Sequence, residues 1–229
     1  DVLTANSASD PLVGGLGDDL YTVLASSNVI TELPDAGTDT VQAPLSWTLG
    51  ANLENLTLLG SQRCSGTGNS QDNTLTGNTA DNLLNGGRGA DTLIGSGGND
   101  TYVADNASDS IQESGTDASD SVRSWVDWTL GANLENLTLL GTKNIDGNGN
   151  GLNNSLTGNG GANVLDAGSG NDRLDGASGN DTLTGSDGAD TFAFTTQLNA
   201  LRNVDTITDF VSGVDTIALS PEIFRQIGF

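Results

Sequence analysis

Gly86-Gly87-Arg88-Gly89-Ala90-Asp91-Thr92-Leu93-Ile94 runs without a gap into Gly95-Ser96-Gly97-Gly98-Asn99-Asp100-Thr101-Tyr102-Val103. Each stretch reads glycine-x-x-glycine-x-aspartate-x-apolar-x. The same nine-residue beat returns at 176–184 and 185–193, with Asp181, Leu183, Asp190 and Phe192 in the matching slots. Glycine lets the chain turn where a Cβ would clash. The aspartate then faces into the turn, and the apolar residue two places on points into a core. A short period of this kind builds a stack of loops and short strands.

The beat sits inside a longer one. A shift of 81 residues superposes Trp47 to Gly60 on Trp128 to Gly141 without a mismatch, Asp19 on Asp100, and Tyr21 on Tyr102. That shift is a whole multiple of nine, so the long repeat keeps the phase of the short one, as a stacked solenoid requires. In this register, clear or degenerate units begin at Ala5, Gly14, Gly68, Gly77, Gly86, Gly95, Gly149, Gly158, Ala167, Gly176 and Gly185. The stretches 24–67 and 105–148 lack the motif but keep strand-like runs, such as Thr40 to Thr48 and Leu56 to Leu59, bounded by Gly, Asn and Asp. They are expected to be wider coils of the same solenoid.

The chain has 30 acidic residues against 7 basic ones, a formal charge of −23. No basic patch can form to hold nucleic acid or an anionic membrane. Only 34% of residues are apolar and 32 are glycine, while ordering each residue costs about 1–2 kcal/mol of backbone entropy. Cations bound only by the folded chain would supply the missing stability. No stretch resembles a signal peptide or a membrane span, and the chain opens on Asp1 inside a repeat, so it reads as a piece of a larger protein.

Catalysis has little to work with. The chain has no histidine, which removes Ser-His and Cys-His nucleophiles and histidine zinc sites. Cys64 aligns with Ile145 in the long repeat, which marks it as a small core residue. Glu54 and Glu135 recur at equivalent positions and read as scaffold. Trp47, Trp125 and Trp128 fit core or cap packing better than sugar stacking.

The nonapeptides resemble the RTX, or haemolysin-type calcium-binding, repeats of type I secreted bacterial proteins. The tail from Asp205 to Leu219, patterned D-x-I-x-D-F-x-x-G-x-D-x-I-x-L, resembles the C-terminal cap of serralysin-like proteases. The resemblance implies an all-β fold: a right-handed parallel β-roll, or β-helix solenoid, with calcium-binding glycine-rich loops. Two nonapeptides make one coil, so residues eighteen apart stack about one strand spacing, ~4.8 Å, from each other. The expected organisation is one continuous solenoid over 1–229, comprising N-terminal units 5–23, calcium-poor coils 24–67, calcium-binding repeats 68–104, calcium-poor coils 105–148, calcium-binding repeats 149–194 and a cap 195–229.

Calcium takes about six to eight hard oxygens, which the family draws from the sixth-position aspartates of stacked loops and from loop carbonyls. Carried onto this chain, Asp172 stacks with Asp190, Asp181 over Asn163, Asp100 over Asn82 and Asp91 over Asn73. Asp19 can pair only with what precedes Val2 or with the coil after it, and Asp10 sits in a degenerate unit. Gly86, Arg88, Gly95, Gly97, Gly168, Ser169, Gly176, Ser178, Gly185 and Asp187 complete the candidate ligand set, for several Ca2+ ions. The implied function is a non-enzymatic, extracellular module that folds when calcium neutralises its loops outside the cell. It would serve the secretion and extension of a larger toxin, adhesin or exoenzyme, without membrane insertion. Two rivals stay open: a polysaccharide-acting β-helix enzyme or its carbohydrate-binding module, and an adhesin or surface-layer segment with a cell-surface partner.

Overall fold

A recurrent tripeptide, aspartate-threonine-apolar, starts many of the strands, and the strands are only two to four residues long. Such strands cannot stand alone; each is held by parallel neighbours from other coils. The computed structural model describes residues 1–115, 119–197, 201–221 and 225. They fall into two compact units, Asp1–Ala118 and Ser119–Phe229, each a stack of parallel strands. The division lies inside the stretch 105–148.

In the first unit, Val2–Thr4, Leu20–Thr22, Thr40–Ala43, Asn55–Leu58, Thr74–Thr76, Thr92–Ile94 and Ser110–Gln112 pair in that order. Their register stacks Leu3, Tyr21, Val41, Leu56, Leu75, Leu93 and Ile111 in one column. From Tyr21 to Leu93 this column is buried. Alternate strands Trp47–Thr48, Ser65–Thr67, Leu83–Asn85 and Thr101–Ala104 form a second parallel set, and Pro11–Val13 pairs with Val29–Thr31.

The second unit repeats the plan. Val122, Leu137, Leu156, Leu174, Phe192 and Ile217 align along one sheet. Trp128, Gly147, Leu165, Leu183 and Ile207 align along the other. Each buried leucine contributes roughly 1.5–3 kcal/mol, and the parallel register returns such side chains to the same face in successive coils.

The motif-poor coils are not uniformly wider. The register Leu20↔Thr40↔Asn55↔Thr74 gives coils of 20, 15 and 19 residues. The short coil belongs to the segment Leu49 to Leu58, in which Leu49, Leu53, Leu56 and Leu58 are all buried and Asn52 turns at φ 62°. Four leucines in ten positions pull the chain across the core by a shorter path. The same 15-residue step, Ser121↔Asn136, recurs in the second unit.

The tail read as a cap lies partly outside the described residues. Its described part extends both sheets: Thr206–Ile207 joins Thr182–Thr184, and Thr216–Leu219 joins Thr191–Phe194. Phe210 packs against Phe192 with ring centroids 6.2 Å apart.

Candidate metal centres

The sixth-slot side chains form a ladder along each unit. Asp91 Oδ1 accepts the Asn73 backbone N–H at 2.7 Å, and Asp109 Oδ1 accepts that of Asp91 at 3.0 Å. Asp100 reaches Asn82 in the same way at 2.7 Å. In the second unit Asp215 reaches Asp190 (3.0 Å), Asp190 reaches Asp172 (2.9 Å) and Asp172 reaches Asn154 (2.6 Å). A parallel run joins Asp205 to Asp181 (3.1 Å) and Asp181 to Asn163 (2.8 Å). The stacked pairs read from the sequence are therefore neighbours in space.

Two kinds of turn alternate with this ladder. In the loops ending at Asp19, Asp91, Asp100, Asp172, Asp181 and Asp190, slots two and four both have positive φ: Gly15 and Gly17, Gly87 and Gly89, Ser96 and Gly98, Gly168 and Gly170, Ala177 and Gly179, Ser186 and Gly188. At Gly87 and Gly89 a Cβ would also run into the carbonyls of Asn69 and Gln71 in the turn below. The turns 68–73, 77–82, 149–154 and 158–163 read G-N-x-x-x-N instead, and no residue in them has positive φ.

The G-N-x-x-x-N turns close on amides. Asn73 Oδ1 accepts the Asn69 N–H at 2.7 Å, and the Asn69 side-chain amide donates to the carbonyls of Gly50 (2.7 Å) and Leu53 (2.8 Å). Asn150 does the same to Gly131 and Leu134, and Asn159 to Leu140 and Lys143. Asn73, Asn82 and Asn163, named from the sequence as ligands, direct their amide nitrogens to the carbonyls of Leu53 (2.9 Å), Cys64 (3.1 Å) and Ile145 (2.6 Å).

The aspartate loops lack that closure. Their second-slot N–H turns elsewhere: Gly87 to Asn85 Oδ1, Ala177 to Asp175 Oδ1, and Ser186 to Asp209 Oδ2. Asp19, Asp91, Asp172 and Asp181 are buried, and the Oδ2 of each accepts no hydrogen bond. A buried polar atom without a partner costs about 1–3 kcal/mol, more when charged. Burial pushes the carboxyls of Asp91 and Asp172 up to about 6 and that of Asp181 to about 7. Backbone N–H groups of Asn73, Asn154 and Asn163 oppose the rise, and the charges of Asp109, Asp190 and Asp205 add to it. A bare carboxylate oxygen among loop carbonyls, with a glycine backbone allowing close approach, fits a hard divalent cation.

Not every residue of the candidate set is equally placed. Gly168 O accepts the Asp187 N–H (3.2 Å) and Asp187 O accepts the Gly170 N–H (2.9 Å), so these two loops also pair directly. Arg88 is exposed, and its charge acts on Asp105. Gly86, Gly95, Gly176 and Gly185 lie beneath the carboxylates of Asp91, Asp100, Asp181 and Asp190, where a Cβ would collide with oxygen. Gly97, Ser169 and Ser178 occupy third slots between the two positive-φ residues. Asp10 spends its carboxylate on the Asn6 and Ser7 N–H groups of its own turn.

Sequence reasoning passed over Asn154, Asp39, Asp109, Asp205 and Asp215, which share the ladder. A signal was present for three of them: Asp39-Thr40-Val41, Asp205-Thr206-Ile207 and Asp215-Thr216-Ile217 repeat the aspartate-threonine-apolar signature of Asp91 and Asp190. Glu54 and Glu135 hold rungs too, accepting the N–H groups of Asp39 (2.8 Å) and Asp120 (2.9 Å). The glutamate's extra methylene spans the short coil, which is a structural role. Cys64 is buried. Trp47 lines a shallow groove of about 310 Å³ with Ser26, Asn28, Ser46 and Thr48, a wall that holds no carboxylate among the described residues. Trp125 is half exposed.

The profile of the RTX calcium-binding nonapeptide repeat (4 copies) matches residues 67–102, 148–183 and 169–193. These spans hold both G-N-x-x-x-N pairs and all the aspartate loops except the one ending at Asp19. Two curated relatives from Rhizobium meliloti (strain 1021) share part of the sequence. The endo-1,3-1,4-beta-glycanase ExsH is 41% identical over 70 residues, 31% of this chain and 15% of its own length. The endo-1,3-1,4-beta-glycanase EglC is 39% identical over 76 residues, 33% of this chain and 16% of its own length. The matched region thus spans about one-sixth of each relative. With aspartate loops stacked in phase on parallel strands, this chain carries RTX calcium-binding nonapeptide repeats on a parallel β-roll fold.

Proposed function

We propose that this module couples calcium uptake to folding, outside the cell, as part of a larger secreted protein. The observation that carries the reading is the bare Oδ2 on buried Asp91, Asp172 and Asp181. Without a cation these groups oppose the packed state; with one they join loops from successive coils. Where cytosolic calcium is low the chain stays open, as export through a narrow channel requires, and millimolar calcium outside closes it. The aspartates and loop carbonyls hold the ions; the G-N-x-x-x-N turns close with their own amides and bound the calcium-binding blocks.

The test is far-UV circular dichroism during a calcium titration, with magnesium as control. A coil-to-β transition driven by calcium and reversed by chelator supports the reading, and a β spectrum indifferent to chelator sinks it.

The glycanase names of the two relatives favour an exoenzyme as the parent protein. The module itself then acts as extension and folding aid, with the catalytic domain elsewhere in that protein. Expression of the whole parent with and without the module, followed by secreted glycan-hydrolysing activity, checks this assignment.

A further inference from the structure

We propose that Asp19, Glu32 and Asp39 form a calcium site of a second kind, built mainly from side-chain carboxylates where the nonapeptide motif has stopped. The three come from the loop before strand Leu20–Thr22, the end of strand Val29–Thr31, and the approach to strand Thr40–Ala43. Each can offer an oxygen such that all three lie within 4.8 Å of one another, and the residues are 3%, 8% and 1% exposed.

Hydrogen bonds orient these carboxylates without neutralising them. Tyr21 donates its hydroxyl to Glu32 Oε1, Leu33 N–H meets Glu32 Oε2 at 3.2 Å, and Asp39 Oδ1 accepts the Asp19 N–H at 2.9 Å. Asp19 Oδ2 accepts nothing. It is aimed at the same small space as the Tyr21 hydroxyl, the space a Cβ on Gly14 would fill. Burial raises the carboxyls of Glu32 and Asp39 above their ordinary values, and mutual repulsion adds to it.

The donor set is hard oxygen alone, which suits calcium and not the softer metals. The arrangement also recurs: Asp100, Glu113 and Asp120 gather as Asp19, Glu32 and Asp39 do, and Asp100 Oδ2 and the Tyr102 hydroxyl crowd Gly95 as Asp19 Oδ2 and the Tyr21 hydroxyl crowd Gly14. An oxygen cluster repeated 81 residues on, with its tyrosine and glycine, is a built feature and not a chance meeting of acids. The inference rests on the calcium reading only for the identity of the cation.

The test counts calcium ions on the full chain by native mass spectrometry and calorimetry. The Glu32→Gln/Asp39→Asn double variant should lose one ion while keeping its cooperative β transition. An unchanged ion count would overturn the site and leave the nonapeptide sites standing. A wild-type chain that takes up no calcium would overturn both. Should the double variant fail to fold, terbium luminescence on Tyr21→Phe, which keeps every carboxylate, decides instead. Loss of the tyrosine-sensitised emission contributed by Tyr21 supports the site, and emission equal to wild type removes it.

Discussion

Asp91 Oδ1 accepts the backbone N–H of Asn73 at 2.7 Å, while Asp91 Oδ2, equally buried, accepts nothing. One oxygen joins successive coils, and the other is the one proposed to meet a cation. The same division holds at Asp172 and Asp181, so coil-to-coil stacking and the proposed metal binding meet in a single side chain.

Replacing Asp172 by Asn therefore separates the two roles. The amide keeps a carbonyl oxygen for the Asn154 N–H but loses the charge. We expect calcium half-saturation to move at least about tenfold higher, ~1.4 kcal/mol, while the metal-free form becomes easier to fold. Parallel calcium titrations in calorimetry and circular dichroism check both halves.

Asn69→Ala tests the amide-closed turn. It strips a donor from the exposed carbonyl of Gly50 and one of two from the carbonyl of Leu53, which should cost about 0.5–1.5 kcal/mol. The ion count should stay at the wild-type value. Thermal unfolding in saturating calcium, with ion counting alongside, is the measurement; a lost ion would show that Asn69 sits in a metal site after all.

Ala177 holds a left-handed backbone at φ 63° in a slot that Gly15, Gly87 and Gly168 fill in other loops. Left-handed geometry costs an alanine roughly 1–2 kcal/mol, partly offset by the greater freedom glycine has when unfolded. Ala177→Gly should stabilise the calcium-loaded chain by about 0.5–1 kcal/mol, seen as a higher midpoint in denaturant. Destabilisation would mean that the alanine methyl makes a compensating contact.

Acid should favour the metal-free fold. Burial raises Asp91 and Asp172 to about 6 and Asp181 to about 7, against 3.8 in the unfolded chain. The folded chain thus holds more protons between those values. Its metal-free stability from these groups is complete below the unfolded value and is lost as pH rises through about 6–7. Calcium must displace the same protons, so its apparent affinity should climb with pH across this window. Circular dichroism in chelator at about pH 5 and about pH 8 reads the first effect, and titrations at both pH values read the second.

The nine-residue beat and the 81-residue shift marked a stacked solenoid, and the resemblance to RTX repeats added the parallel roll and with it the pairs Asp172–Asp190 and Asp181–Asn163, because a solenoid converts sequence period directly into spatial neighbours. Period could not reveal what breaks it. The 15-residue coil puts Glu54 on the rung next to Asp39, and Glu32 meets Asp19 across a bend whose length the nine-residue beat does not set, though the 81-residue shift repeats it. Nor could residue type alone show that Asn69 closes its turn with an amide while Ala177 and Ser186 keep the left-handed backbone of the aspartate loops. That outcome depends on which way each peptide group faces, and the facing is settled by the carbonyls of the coil beneath, a partner that exists only once the chain has stacked.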